Sequence, residues 1–140
     1  DLRLNCYSDR PWENYLDMEA FRLTQFFDYT KLIGRMHKFL AGHMPKNYDL
    51  TFSHAGPSNV DDCRNVLDAG GNVAVVFDDQ QPMPEAFWGH RVHDATTHDF
   101  RFLDPRGIAG LQFKTSRAFK GAGDRSRALA LESGFIANAA

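Results

Sequence analysis

The chain has 140 residues, 43% of them hydrophobic and 13% aromatic, with a formal net charge of −2. That length suits one domain with its own core, and the composition excludes a disordered or fibrous chain. No apolar run approaches the roughly 20 residues of a membrane helix, and two cysteines, Cys6 and Cys63, are too few for a disulfide scaffold. Both are expected to be buried thiols in a reducing, cytoplasmic setting. The sequence opens at Asp1 with neither an initiator Met nor a secretory signal, so residues missing before Asp1 are an expectation. Charge is unevenly spread. Residues 1–100 hold 9 Lys/Arg against 15 Asp/Glu, and residues 101–140 hold 7 against 3. The basic end fits an anionic ligand, nucleic acid, an oligomer contact or a plain solvated surface.

Leu2 to Ser8 alternates and predicts a first strand, closed by Asp9 and Pro11. Tyr15, Met18, Phe21 and Leu23 recur with a helical period, which predicts a helix from Trp12 to Gln25. Phe26 to Thr30 is rich in strand formers and predicts a second strand ending at Lys31. Leu32, Ile33, Met36, Phe39 and Leu40 then share one helical face, stopped by Gly42 and Pro45. Tyr48 to Ser53 alternates as a third strand. Ser58-Asn59 is placed to cap the next helix, with Asp61 and Asp62 in its first turn and Val60, Cys63, Val66 and Leu67 on its apolar face. Gly70-Gly71 ends it, and the run Val73 to Phe77 predicts a strand buried on both faces, leaving at Asp78-Asp79.

After Pro84 the pattern changes. Phe87 to Asp94 and Asp99 to Leu103 predict short strands joined by residues 95–98, and Asp104-Pro105-Arg106-Gly107 predicts a turn. Ile108 to Phe113 predicts another strand, and the basic, glycine-containing stretch Thr115 to Arg127 a loop. Ala128 to Ala140 predicts a helical turn and an extended Phe135-Ile136. The expected fold is a single α/β domain. Residues 1–80 form a four-stranded, mostly parallel βαβαβαβ unit resembling half a barrel, and residues 81–140 a β-rich, basic hairpin-and-loop extension.

Ligands of open parallel sheets bind at the C-terminal strand ends. Those ends predict Asp9 and His54 as acid/base candidates and Tyr29, Lys31, Ser53 and Asp78 as ligand contacts. Lys114 and Arg117 in the basic stretch are further anion-binding candidates. His93-Asp94 and His98-Asp99 would bring two imidazoles and two carboxylates to one divalent metal if a hairpin joined them.

Arg-Leu-Asn-Cys-Tyr-Ser-Asp (3–9), Phe-Phe-Asp-Tyr-Thr-Lys (26–31), Tyr-Asp-Leu-Thr-Phe-Ser (48–53), Asn-Val-Ala-Val-Val-Phe (72–77), His-Asp-Phe-Arg-Phe-Leu-Asp-Pro-Arg-Gly (98–107) and Ser-Gly-Phe-Ile (133–136) resemble, in order, the C-terminal half of the phage and prophage gene 88 protein family, of unknown function. The resemblance covers nearly the whole chain. It implies a radical-SAM-like partial barrel, whose longer members carry a cysteine-rich N-terminal half. This chain has no cysteine cluster, so no iron–sulfur cluster is expected. What remains is a fragment, a split partner or a descendant that kept the ligand-binding half. The functional expectation is a phage-type protein binding a small anionic or nucleotide/adenosyl-type ligand at the strand ends, as an enzyme or half of one. The alternative is a non-catalytic protein whose basic C-terminal segment binds nucleic acid or a host protein. The two open edges of a half-barrel predict self-association or a covering partner.

Overall fold

A computed structural model describes residues 1–114 and 122–138, with side chains described again from Arg125. Strands β1 (Leu2–Arg3), β2 (Phe26–Thr30), β3 (Tyr48–Ser53) and β4 (Val73–Phe77) lie side by side in that order and pair in parallel. Helix α1 (Ile33–Leu40) connects β2 to β3, and α2 (Val60–Asp68) connects β3 to β4. Beyond β4 the order runs through β7 (Ile108–Gln112) and β6 (His90–Asp94) to β5 (Ala86–Phe87), the last antiparallel to its neighbour. Helix α3 (Ala122–Glu132) leads to β8 (Ile136–Ala137), which also pairs with β4. The expected parallel α/β unit is present, but the sheet has eight strands instead of four and does not close into a barrel.

Strand parity divides the residues between two faces. Phe26, Tyr48, Leu50, Phe52, Val73 and Val75 pack against Met36 of α1 and Cys63, Val66 and Leu67 of α2. Each large apolar side chain buried there contributes roughly 1.5–3 kcal/mol. Both helices lie on one face because both connections advance in the same direction along the sheet with the usual right-handed crossover. The connection from β6 to β7 runs backward, so it must cross the other face. Residues 95–107 do so: Ala95 packs on Ala74 and Ala109, and Phe100 and Phe102 pack on Phe27.

Several expected elements differ, for identifiable reasons. Strand β1 stops at Arg3 because the next buried amide, Asn5 N, donates to the Asp28 carboxylate at 2.8 Å instead of to the ladder. Cys6 is consequently exposed, whereas Cys63 is buried. Residues 12–25 form two short 3-10 turns, Trp12–Asn14 and Met18–Ala20, in place of a helix. The Asn47 carboxamide donates to the carbonyls of Met18, Phe21 and Thr24, occupying acceptors a helix would need. Asn59 makes no capping bond to α2. Its side chain accepts from Ala55 N and donates to Ser53 O, both at 3.0 Å, bracing the turn after β3. Residues 101–103 form a 3-10 turn, not a strand, because the buried Arg101 folds back to the carbonyl of His98 and to Asp104. Part of the expected basic loop, from Ala122, is helical in α3, while residues 115–121 lie outside the described ones.

Under the helix-side face sits a chain of buried polar groups. Asp28 accepts from Asn5 N (2.8 Å), Asn5 Nδ2 (3.1 Å) and Tyr48 Oη (2.8 Å). Arg35 donates to Tyr48 Oη and reaches Asp9 at 2.5 Å and Glu13 at 2.8 Å. Burial raises the Asp28 pKa, opposed by these donors, and raises that of Tyr48. Burial alone would weaken the charge of Arg35, but Glu13 and its neighbours more than offset it. Removing one partner of such a buried set strands the others. Arg35→Ala should lower stability by about 3–5 kcal/mol, measured by urea unfolding, since it leaves the buried Glu13 carboxylate without its partner and removes one bond each from Asp9 and Tyr48.

Candidate functional site

The C-terminal ends of β1 to β4 open onto a cavity of about 520 Å³ on the face away from α1 and α2. Its volume lies within the range of small-molecule sites, roughly 300–1,000 Å³. Its floor is apolar, made by Ala74 and Val76 of β4, Leu111 of β7 and Phe135. Its polar walls include Arg3, Tyr29, Lys31, Ser53 and Asp99, with the loop of residues 5–9 along one side.

Four of the expected strand-end residues therefore meet: Asp9, Tyr29, Lys31 and Ser53. They are not equivalent. Both Asp9 oxygens are engaged: Oδ1 by Thr30 Oγ1 and Arg35, and Oδ2 by Lys31 N at 2.7 Å. Asp9 thus positions the end of β2, and with it the Lys31 main chain. By contrast the Lys31 ammonium, the hydroxyls of Ser53 and Tyr29 and the Asp99 carboxylate have no hydrogen-bond or ion-pair partner among the described residues. Arg3 lies over the Tyr29 ring at 4.7 Å, and its Nε donates to the Asn5 carbonyl at 3.2 Å. Burial raises the Tyr29 pKa, keeping the phenol a neutral hydrogen-bonding group.

The other expected residues lie elsewhere. His54 follows Ser53 and so takes the opposite face. It is buried, its ring meets Trp88 edge-on at 5.4 Å, and Nδ1 has no well-formed hydrogen bond among the described residues. It is not a wall of the cavity. Asp78 binds Arg127, which holds its carboxyl below the usual range, and lines a separate cavity beneath α3. Lys114 is exposed beyond β7, and Arg117 lies outside the described residues. The four metal candidates do not converge. Asp94 accepts from Thr96 N and Oγ1, His93 faces Asp104 at 3.1 Å, and His98 stands 4.0 Å from the same carboxylate. Asp99 belongs to the cavity instead. Among the described residues no group of three or more His, Cys, Asp or Glu could hold a metal ion, and no helix is long and apolar enough to cross a membrane.

Arg3 and Phe135 were not anticipated in the cavity. Arg3 carried a readable signal, since the alternation Leu2-Arg3-Leu4 puts its side chain on the face opposite the leucines. Phe135 carried none, because its place depends on β8 pairing with a strand some 60 residues earlier.

Fold and cavity together define an open, mostly parallel α/β protein with a small-molecule-sized cavity of mixed polar and apolar lining at its strand ends. The family model described as Gene product 88 matches residues 1–137, and the chain belongs to that family. The match names no reaction and lends no support to a radical-SAM kinship. No curated protein and no solved structure matches the chain.

Burial pushes the His54 pKa down, against the backbones of Gly56 and Phe135. A group with a depressed folded pKa takes up protons more readily when unfolded. His54 therefore contributes stability that is full above its ordinary value of 6.5 and is lost as pH falls below it. Unfolding measured across that window should show stability rising with pH, and His54→Gln should flatten the rise.

Proposed function

We propose that this protein binds a small anionic ligand in the cavity at the C-terminal ends of β1 to β4. Lys31 and Arg3 supply positive charge, and Ser53 and Tyr29 supply hydrogen bonds. One observation carries this reading: an ammonium and two hydroxyls from adjacent strands border one cavity and are not used by the fold. Groups that only stabilise the domain are saturated, as Asp9 and Asp28 are. A binding role stands ahead of a catalytic one because His54, the expected acid/base, is not a wall of the cavity. The basic C-terminal segment is the weaker candidate for an anion site, since Arg127 is already paired with Asp78.

The test is calorimetric titration with inorganic phosphate and with short carboxylates at low salt. Binding should weaken as ionic strength rises. Lys31→Ala should lower affinity roughly tenfold, the effect of one charge-assisted hydrogen bond. Because Lys31 is exposed, its unfolding midpoint should stay unchanged. A variant that binds as tightly as the parent protein would sink the proposal.

A further inference from the structure

Resting on the anion-binding reading, the cavity also carries a second charge of opposite sign. Asp99 lines it together with Lys31, yet no ion pair joins the two. The Asp99 main chain is anchored, since its carbonyl accepts from Arg101 N at 2.9 Å and Arg101 is buried against Asp104 at 3.0 Å. The carboxylate is therefore presented by a fixed turn, and it forms no ion pair or hydrogen bond among the described residues. The other carboxylate at the rim, Asp9, is answered by Arg35. A ligand carrying only negative charge would bind Lys31 and leave Asp99 as an unanswered like charge. A ligand carrying both signs satisfies both charges, and the apolar residues lining the same cavity suit a hydrocarbon body.

From these juxtapositions we infer that the ligand is a zwitterion of the α-amino-acid type with an apolar side chain. Its carboxylate meets Lys31 and the Ser53 hydroxyl. Its ammonium meets Asp99, and its side chain rests on Ala74, Val76, Leu111 and Phe135. Arg3, stacked on Tyr29, adds a further positive charge to the cavity wall.

The experiment is calorimetric titration of the whole chain with leucine, methionine and phenylalanine, and with inorganic phosphate. For each amino acid the N-acetyl form, which lacks the ammonium, and the amide, which lacks the carboxylate, are titrated alongside. At least one of the three amino acids should bind, and each capped form should bind roughly tenfold more weakly. Asp99→Asn should erase the advantage of the free amino acid over its N-acetyl form. Lys31→Gln should erase its advantage over the amide. Both positions are exposed, so both variants should keep the parent unfolding midpoint. If an N-acetyl form binds as tightly as its amino acid, or if phosphate binds through Lys31 while no amino acid does, the zwitterion inference fails and the anion reading stands. If nothing in the panel binds in a Lys31-dependent way, both fail.

Discussion

The buried Asp28 carboxylate is the constraint on which the N-terminal third depends. A carboxylate under the helix-side face is costly unless donors surround it, and here the donors come from three segments: Asn5, Tyr48 and, one step further, Arg35. Meeting that demand shapes the chain around it. Asn5 N leaves the ladder, so β1 is two residues long. The Asn5 carboxamide oxygen then gathers Ser8, Arg10 and Trp12, folding residues 5–12 over the end of β2. Arg35 pulls Asp9 and Glu13 onto α1 from the same side. Asp9 finally fixes Thr30 and the Lys31 amide. The position of a rim cation thus traces back, bond by bond, to one acid in the interior.

The open cavity follows from how the crossovers are shared between faces. Two helices occupy one face, and the irregular segment 95–107 covers only the lower part of the other. Small residues make that close approach feasible: Ala74, Ala95 and Ala109 touch where larger side chains would hold the segment off the sheet. Above them β3 and β4 pair at only two positions, Phe52 with Val73 and Ser53 with Ala74. Beyond these, β8 takes the place beside β4, pairing Ile136 with Val76 and Ala137 with Phe77. This delivers Phe135 to the cavity floor. The fit of that strap is tight. A side chain on Gly134, whose φ is +71°, would press on Pro57 at 2.7 Å, and one on Gly56, at φ +114°, on the Ser133 carbonyl at 3.0 Å.

Elements supported by their own periodicity were legible in the sequence. The stretches around Phe26, Tyr48 and Val73, with the helices containing Met36 and Val66 between them, appear where pattern and breakers place them. Elements decided by a distant partner were not. The helical spacing of Tyr15, Met18 and Phe21 is real, but Asn47, more than 20 residues away, takes the carbonyls. The alternation Asp99 to Leu103 looks extended, but Arg101 needed a buried counter-charge and bent the chain to reach Asp104. Capping failed likewise: Asn59 has the right chemistry and uses it on Ser53 and Ala55. The same division holds at the site. Strand-end position predicts that Tyr29, Lys31 and Ser53 share one place, and they line one cavity; Asp99, expected with His98 at a metal, lines that cavity too, because its neighbours in sequence are not its neighbours in space.

Polarity at a strand end is a weak guide to function, because such ends meet water in any parallel sheet. What separates the residues here is saturation. Asp9, Asp78 and Asp94 all stand at or near strand ends and all look like site residues in sequence. In the fold each is occupied, by Thr30 and Arg35, by Arg127, and by Thr96. Ser53 and His54 show the same point through parity. They are adjacent, yet one hydroxyl borders the cavity and the next imidazole is buried against Trp88 on the far side. An ionisable group becomes a credible ligand contact only when the fold has both turned it toward a cavity and left it without a partner. Lys31 and Asp99 meet both conditions, with opposite charge, on the rim of one cavity with an apolar floor.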